Sequence, residues 1–265
     1  MSKLFARYTK LTIHTTIIWI LCGLLFPNAC RPQDVTWQQI QESGILRVGL
    51  DPTYPPFETA AENNIYGFDI DLANALAQEL GLQAEFVLFG YDGLYDALGT
   101  KQVDVLISAL VIIPERTRDF AYSKPYFNAG EILIVPLNNQ TILEMADMND
   151  RTLAVELGAL GHVEAITWAK RLPDLTVVPY PSADEALSAV SAGNTDAALV
   201  DAISGHLYLQ NEPRLKRVTE PITVEPFAIV TRIEDEKLQE QIDSSLAHLQ
   251  QSDQLVKIHK RWLGP

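Results

Sequence analysis

Cysteine is scarce. Cys22 and Cys30 are the two in 265 residues, and none follows position 30. No disulfide can therefore form within the chain past that point, and stability there has to come from burial, for which the remaining length provides one large core or two medium ones. Long apolar runs are scarce too: residues 17–26 form a run of about ten, too short to cross a bilayer as a helix. Positive charge is in deficit, with 20 Lys and Arg against 34 Asp and Glu and a formal charge of −14. Such a chain repels nucleic acid and anionic membrane surfaces, which sets both aside as partners. There is no Walker loop and no nucleophile elbow, and His162, His206, His248 and His259 show no zinc-like spacing, so neither a metal nor another cofactor is expected.

Residues 1–30 have the pattern of an export segment rather than of a fold. Lys3, Arg7 and Lys10 form a positive start with no acid, residues 17–26 the apolar centre, and Ala29 precedes Cys30. Loss of residues 1–29 moves the formal charge from −14 to −17, because three positive charges leave and no negative one does. Two endings are open. Cleavage near Ala29 leaves a freely soluble exported protein; alternatively Cys30 becomes the lipid-bearing first residue of a lipoprotein, although Phe26, Pro27 and Asn28 match the usual run poorly. Either way the expected location is periplasmic or extracellular.

After a polar lead-in at 33–43, strand and helix patterns alternate. Residues 46–50 (LRVGL) predict a strand, and 67–80 a helix with Leu72, Leu76 and Leu80 on one face and Gly81 as its stop. A strand at 84–88, a short helix at 92–98 and a third strand at 103–108 complete a β-α-β-α-β unit. The order recurs with a strand at 153–157, a helix at 161–172, a strand at 175–178, a helix at 182–192 opened by Ser182, and a strand at 196–200. Two such units predict an α/β protein of two lobes. Extended apolar stretches at 132–136 (ILIVP) and 222–230 (ITVEPFAIV) predict that the chain leaves the first lobe and returns to it. The helix at 234–249 and the closing turn HKRWLG are expected on that first lobe. Lobe 1 is accordingly placed at 31–133 plus 228–265 and lobe 2 at 134–227, with hinges near 132–136 and 222–228. A double crossing predicts two jaws around a cleft, a common place for a small molecule.

Arg116 follows the third strand on the turn opened by Pro114. That places it at the carboxyl edge of an α/β sheet, where its fork of donors matches a carboxylate or phosphate. From the spacing alone, a surface ion pair with Glu115 or Asp119 is the favoured reading.

Five stretches together resemble the bacterial extracellular solute-binding proteins of the polar amino-acid-binding family, which deliver ligands to ABC transporters. They are LRVGLDPTYPPFE (46–58), YGFDIDLANALAQELG (66–81), YDGLYDALGTKQVDVLIS (91–108), PERTRDFAYSKPYF (114–127) and GNTDAALVD (193–201), with KRWLG (260–264) at the end. The resemblance implies the two-lobed periplasmic-binding-protein fold, capture of an amino acid by lobe closure, a membrane ABC permease as partner, and a monomer. It implies that Arg116 grips the ligand's α-carboxylate and Asp201 its α-ammonium. Asp51, Tyr54, Phe57 and Tyr91 then fall at contact and wall positions, and Ser108 and Ala109 in the strand-end loop. Asp201 also suits a helix cap, Asp51 before Pro52 a turn, and Phe57 and Tyr91 a core.

The departures concern donors. Val111 stands where the family usually has a hydroxyl residue, and Ala159 and Leu160 stand where it usually has two threonines after a glycine. The carboxylate end is thus short of side-chain donors, although backbone N–H groups around Gly161 remain. Glu156 interrupts an apolar strand where relatives face the ligand, and with Asp51 it suits a cationic group, so a polar or basic side chain is favoured; a solvated strand end is the alternative. The competing functions are an exported enzyme like the cyclohexadienyl dehydratases, with Glu156 as its general acid, and a ligand sensor. A sensor of this kind normally continues into a membrane span, and none follows residue 264, which leaves delivery to a separate receptor open.

Overall fold

The computed structural model describes residues 35–61, 64–218 and 221–264; the expected export segment and Cys30 lie outside the described residues. Helix α1 (Thr36–Ser43) leads into β1 (Ile45–Leu50), followed by the small meander β2 (Thr53–Tyr54), β3 (Glu58–Ala61) and β4 (Asn64–Tyr66). Then come α2 (Phe68–Glu79), β5 (Gln83–Leu88), α3 (Leu94–Gly99), β6 (Val105–Leu106), β7 (Phe120–Tyr122) and β8 (Phe127–Asn128). The middle of the chain holds β9 (Glu131–Pro136), β10 (Thr152–Glu156), α4 (Leu160–Ala169), β11 (Thr176–Tyr180), α5 (Ala183–Ser191), β12 (Ala197–Asp201), α6 (Ala202–Leu209) and β13 (Leu215–Arg217). Strands β14 (Pro226–Phe227) and β15 (Val230–Arg232) and helices α7 (Glu236–Gln251) and α8 (Gln254–Leu263) close the described chain.

Two five-stranded sheets result, ordered β5-β1-β6-β15-β7 and β11-β10-β12-β9-β13. In each, three parallel strands are followed by one antiparallel strand and then by a fifth that pairs antiparallel with the fourth, so both lobes repeat one plan with unrelated residues. The strand period is visible in β9, whose Ile132 and Ile134 join one apolar core while Leu133 and Val135 join the other. Both faces of this strand are covered, as the parallel-rich sheet requires.

The local signals act as expected at several points. Gly81 takes a left-handed φ of 72° just past α2, and the Ser182 hydroxyl accepts from the Glu185 N–H at 3.2 Å to cap α5. Gly67 has φ 149°, and a Cβ there would lie 2.0 Å from the Phe57 carbonyl oxygen, so no other residue fits where the meander enters α2.

Three expectations need correction. Residues 132–136 do not cross between lobes. They form β9 inside the second sheet, because antiparallel pairing with β12 and β13 satisfies both backbone edges of the apolar run. The crossing segments carry instead the short ladder of β8 with β14. HKRWLG is not a closing turn but the end of helix α8, which buries Leu255 and Leu263 and packs on α2. The third strand pairs only over Val105–Leu106, since a left-handed Ala109 and then Pro114 end the extended run.

Helix α8 also touches the second lobe, where Gln210 Nε2 donates to the Trp262 carbonyl at 3.1 Å. His206 on α6 and His259 on α8 stand 6.3 Å apart between ring centroids; burial, and after it the Arg217 charge, push both down to about 4. Both are therefore neutral packing groups at neutral pH.

Candidate functional site

The carboxyl ends of parallel strands collect the site. Asp51 follows β1, Ser108 and Ala109 follow β6, and in the second lobe Glu156 ends β10 and Asp201 ends β12. Open α/β sheets present ligands with this edge because the strand order reverses there and leaves a crevice. A cavity of 470 Å³ lies at that edge, lined from the first lobe by Asp51, Thr53, Tyr54, Glu58, Tyr91 and the 108–111 loop, and from the second by Asp201 and Ile203. Ala129, Glu225 and Phe227 line it from the crossing segments. A smaller cavity of 140 Å³ shares Ala129, Asp201 and Glu225 with it and adds Glu131, Glu156, Ala159 and Leu160. Among the described residues, no lysine, arginine or histidine lines either one.

The first-lobe wall is held by a chain of hydrogen bonds. The Ser108 hydroxyl donates to Glu58 Oε1 at 2.6 Å and accepts from the Asp51 N–H at 3.0 Å. Asp51 accepts from the Thr53 hydroxyl at 2.8 Å and from the Tyr91 N–H at 2.9 Å, which joins the floor to the aromatic wall. Ala109 takes a left-handed φ of 46°, a strained state for alanine, and its N–H is held by Asp69 Oδ2 at 2.6 Å, with the Tyr126 hydroxyl donating to the same oxygen at 3.0 Å. Beneath the wall, Glu58 and Asp69 are both buried. Burial first, and for Glu58 the Asp69 charge second, push both carboxyls up, so the pair retains a proton at neutral pH.

On the second lobe Asp201 Oδ1 accepts from the Ser204 N–H at 2.9 Å. Asp201 is thus a helix cap for α6 and a cleft residue at once. Glu131, at the start of β9, stands directly opposite Asp201 in the ladder. Burial, then the charges of Asp201 and Glu225, push the Glu131 carboxyl up to about 7.

Most of the anticipated residues therefore meet. Asp51, Tyr54, Tyr91, Ser108, Ala109, Val111 and Asp201 line the larger cavity, and Glu156, Ala159 and Leu160 line the smaller. Two do not line either. Phe57 is fully buried, stacked behind Tyr54 with ring centroids 5.9 Å apart and packed edge-on to Phe127 and Phe227, because its apolar ring completes the core under the meander. Arg116 is exposed on a 3-10 turn, its guanidinium 4.1 Å from the centroid of the Tyr95 ring, which satisfies the cation without placing it in the cavity.

The model for bacterial extracellular solute-binding proteins, family 3, matches residues 46–265. The chain belongs to this family. The solute-binding protein is 28 % identical over 223 residues to the ABC transporter arginine-binding protein 1 of Escherichia coli strain K12, across 82 % of this chain and 90 % of that one. Among solved structures, an ancestral cationic amino acid solute-binding protein is 33 % identical with a TM-score of 0.61, covering 86 % of this chain and 99 % of its own. An ancestral cyclohexadienyl dehydratase is 25 % identical with a TM-score of 0.74, covering 86 % and 95 %.

Sequence reasoning missed Glu58, Glu131 and Glu225 in the solute-binding protein. Glu58 was in view at the end of the TYPPFE stretch, and its signal is the acid that closes an apolar turn. Glu131 follows Gly130 at the head of an otherwise apolar strand, a placement as unusual as that of Glu156.

Proposed function

We propose that the protein is an extracytoplasmic solute-binding protein that captures an amino acid, with a polar or basic side chain favoured, between its two lobes and passes it to a membrane ABC permease. The observation that carries this reading is the cavity at the facing carboxyl edges of two sheets, lined by acids from both lobes and, among the described residues, by no basic side chain. An acidic cavity attracts the ammonium of an amino acid, and Tyr54 and Tyr91 offer flat faces to its side chain. The similarity to proteins named for arginine and for cationic amino acids points the same way.

In this reading the ligand settles first on the lobe that carries Asp51, Tyr54 and Tyr91. Closure then adds Asp201 to the α-ammonium and the backbone N–H groups at the start of α4 to the carboxylate. The crossing segments around β8 and β14 act as the hinge, and Arg116 leaves the Tyr95 ring to complete the carboxylate clamp. Ligand favours closure only by the amount that it binds the closed state better than the open one. Val111, Ala159 and Leu160 supply no side-chain donors, so recognition rests more on the cationic end than on the carboxylate.

A thermal-shift screen of the purified protein against the common amino acids tests this, because a ligand of the native state raises the melting temperature by mass action. A shift with one or a few amino acids, reduced in Arg116→Ala, is expected; no shift with any of them overturns the reading. The similarity to the dehydratase favours one second reading, turnover in the same cleft. Incubation with prephenate decides it by whether product forms.

A further inference from the structure

Glu131 is the least satisfied charged group at the cleft. Its side chain lines the smaller cavity, the residue is 5 % exposed, and Oε2 has no hydrogen-bond partner. Its backbone is held on both sides: the Glu131 N–H donates to Thr223 Oγ1 at 2.7 Å, and the Ile222 N–H donates to its carbonyl at 2.7 Å. Among the described residues, the charged groups around it are acidic: Asp201 from β12, Glu156 from β10, Glu164 from α4 and Glu225 from the crossing segment. The Gly161 N–H offers the one favourable dipole, and a Cβ on Gly161 would come within 2.6 Å of Oε2, so the glycine keeps that side of the carboxyl open.

Two acids directly opposite in an antiparallel ladder repel one another, and a buried carboxyl without a partner costs more again. A built strand end with this arrangement is short of one thing, a cation. We propose that Glu131, flanked by Asp201 and Glu225, is the subsite for a second cationic group of the ligand, so that the preferred ligand carries two positive charges, as a basic amino acid or a guanidinium-amine does. This rests on the amino-acid-binding reading and narrows it to one substrate class.

Binding and protonation are then linked. Glu131 with its pKa near 7 must lose its proton to accept a cation, so affinity for a dication falls as pH drops below 7, by about tenfold from pH 8 to pH 6. A ligand without the second charge lacks that dependence.

Calorimetry with L-arginine, its neutral analogue L-citrulline and its decarboxylated analogue agmatine, at pH 6, 7 and 8, tests the proposal on wild type, Glu131→Gln and Glu225→Gln. Support consists of arginine binding at least tenfold tighter than citrulline, weakening toward pH 6, and losing both its advantage and its pH slope in Glu131→Gln. Glu131→Gln relieves a repulsion, so its ligand-free melting temperature at pH 8 should equal or exceed wild type, which separates lost recognition from lost folding. Agmatine matching arginine assigns the ligand to the guanidinium-amines, and agmatine failing assigns it to basic amino acids. Citrulline binding as well as arginine, or a pH slope that survives in Glu131→Gln, overturns the subsite and leaves amino-acid capture intact. No binding of any amino acid overturns both.

Discussion

Asp201 has two duties that one pair of substitutions can separate. One carboxylate oxygen caps α6 through the Ser204 N–H at 2.9 Å, and the same side chain lines the cleft. Asp201→Asn keeps an oxygen of similar reach, and asparagine caps a helix as well as aspartate does, so the helix start should hold. What disappears is the negative charge proposed to meet the ligand's ammonium. A charge-assisted hydrogen bond contributes about 1.5–3 kcal/mol, and leaving its partner unpaired in a closed cleft raises the cost to about 2–4 kcal/mol. That corresponds to about 30- to 1000-fold in dissociation constant.

Stability should move the other way. Asp201→Asn also removes one of two facing acids, a relief of about 0.2–1 kcal/mol, so the ligand-free melting temperature should match or exceed wild type. Asp201→Ala shares the relief but loses the cap, about 1 kcal/mol, equivalent to about 2–4 °C in a chain of this size. The assay is calorimetry with the tightest amino acid from the screen, beside ligand-free thermal melts of all three proteins. Affinity of Asp201→Asn within threefold of wild type would refute the ammonium role, and Asp201→Ala melting level with Asp201→Asn would refute the cap.

Two further predictions concern the buried charges. Glu58 and Asp69 hold pKa values above those of the unfolded chain, so the native state binds more protons than the unfolded one and stability falls as pH rises through and above the ordinary carboxylate range; Glu58→Gln, which still accepts from Ser108, should flatten the fall in melting temperature between pH 5 and 8, and an unchanged slope would refute the retained proton. Arg232 and Asp235 form an ion pair with side chains 3 % and 2 % exposed, Arg232 also donating to the Leu98 and Val103 carbonyls and Asp235 accepting from the Thr36 hydroxyl at 2.6 Å. Asp235→Ala strands the guanidinium and should cost about 3–5 kcal/mol in urea unfolding, a loss below about 1 kcal/mol being evidence against a paired role.

How far the sequence reached depends on which interactions are local. The parallel strands and their helices were legible because periodicity, Gly81 and Ser182 act within one element. The run at 132–136 was misplaced for the opposite reason: ILIVP says only that the segment is extended and buried, and its pairing with β12 and β13 involves residues more than sixty positions away. The short partner strand at 105–106 shows the same limit, since a strand's length is set by its neighbours as much as by its own residues. Trp262 and Leu263 looked like a closing turn because the apolar face of α8 has meaning only against α2.

The site follows the same division. The resemblance places Asp51, Ser108, Glu156 and Asp201, and in the structure each ends or follows a parallel strand. Glu131 begins an antiparallel strand instead, yet the ladder sets it face to face with Asp201. Burial already makes Glu131 costly, and the facing Asp201 adds to that cost. A ligand cation that relieves it gains twice, from its own contacts and from the removed repulsion, whereas a neutral ligand gains only the first. On the proposed subsite the cleft discriminates by a destabilisation present before binding, and the measure of it is the stability that Glu131→Gln recovers without ligand set against the affinity it loses with one.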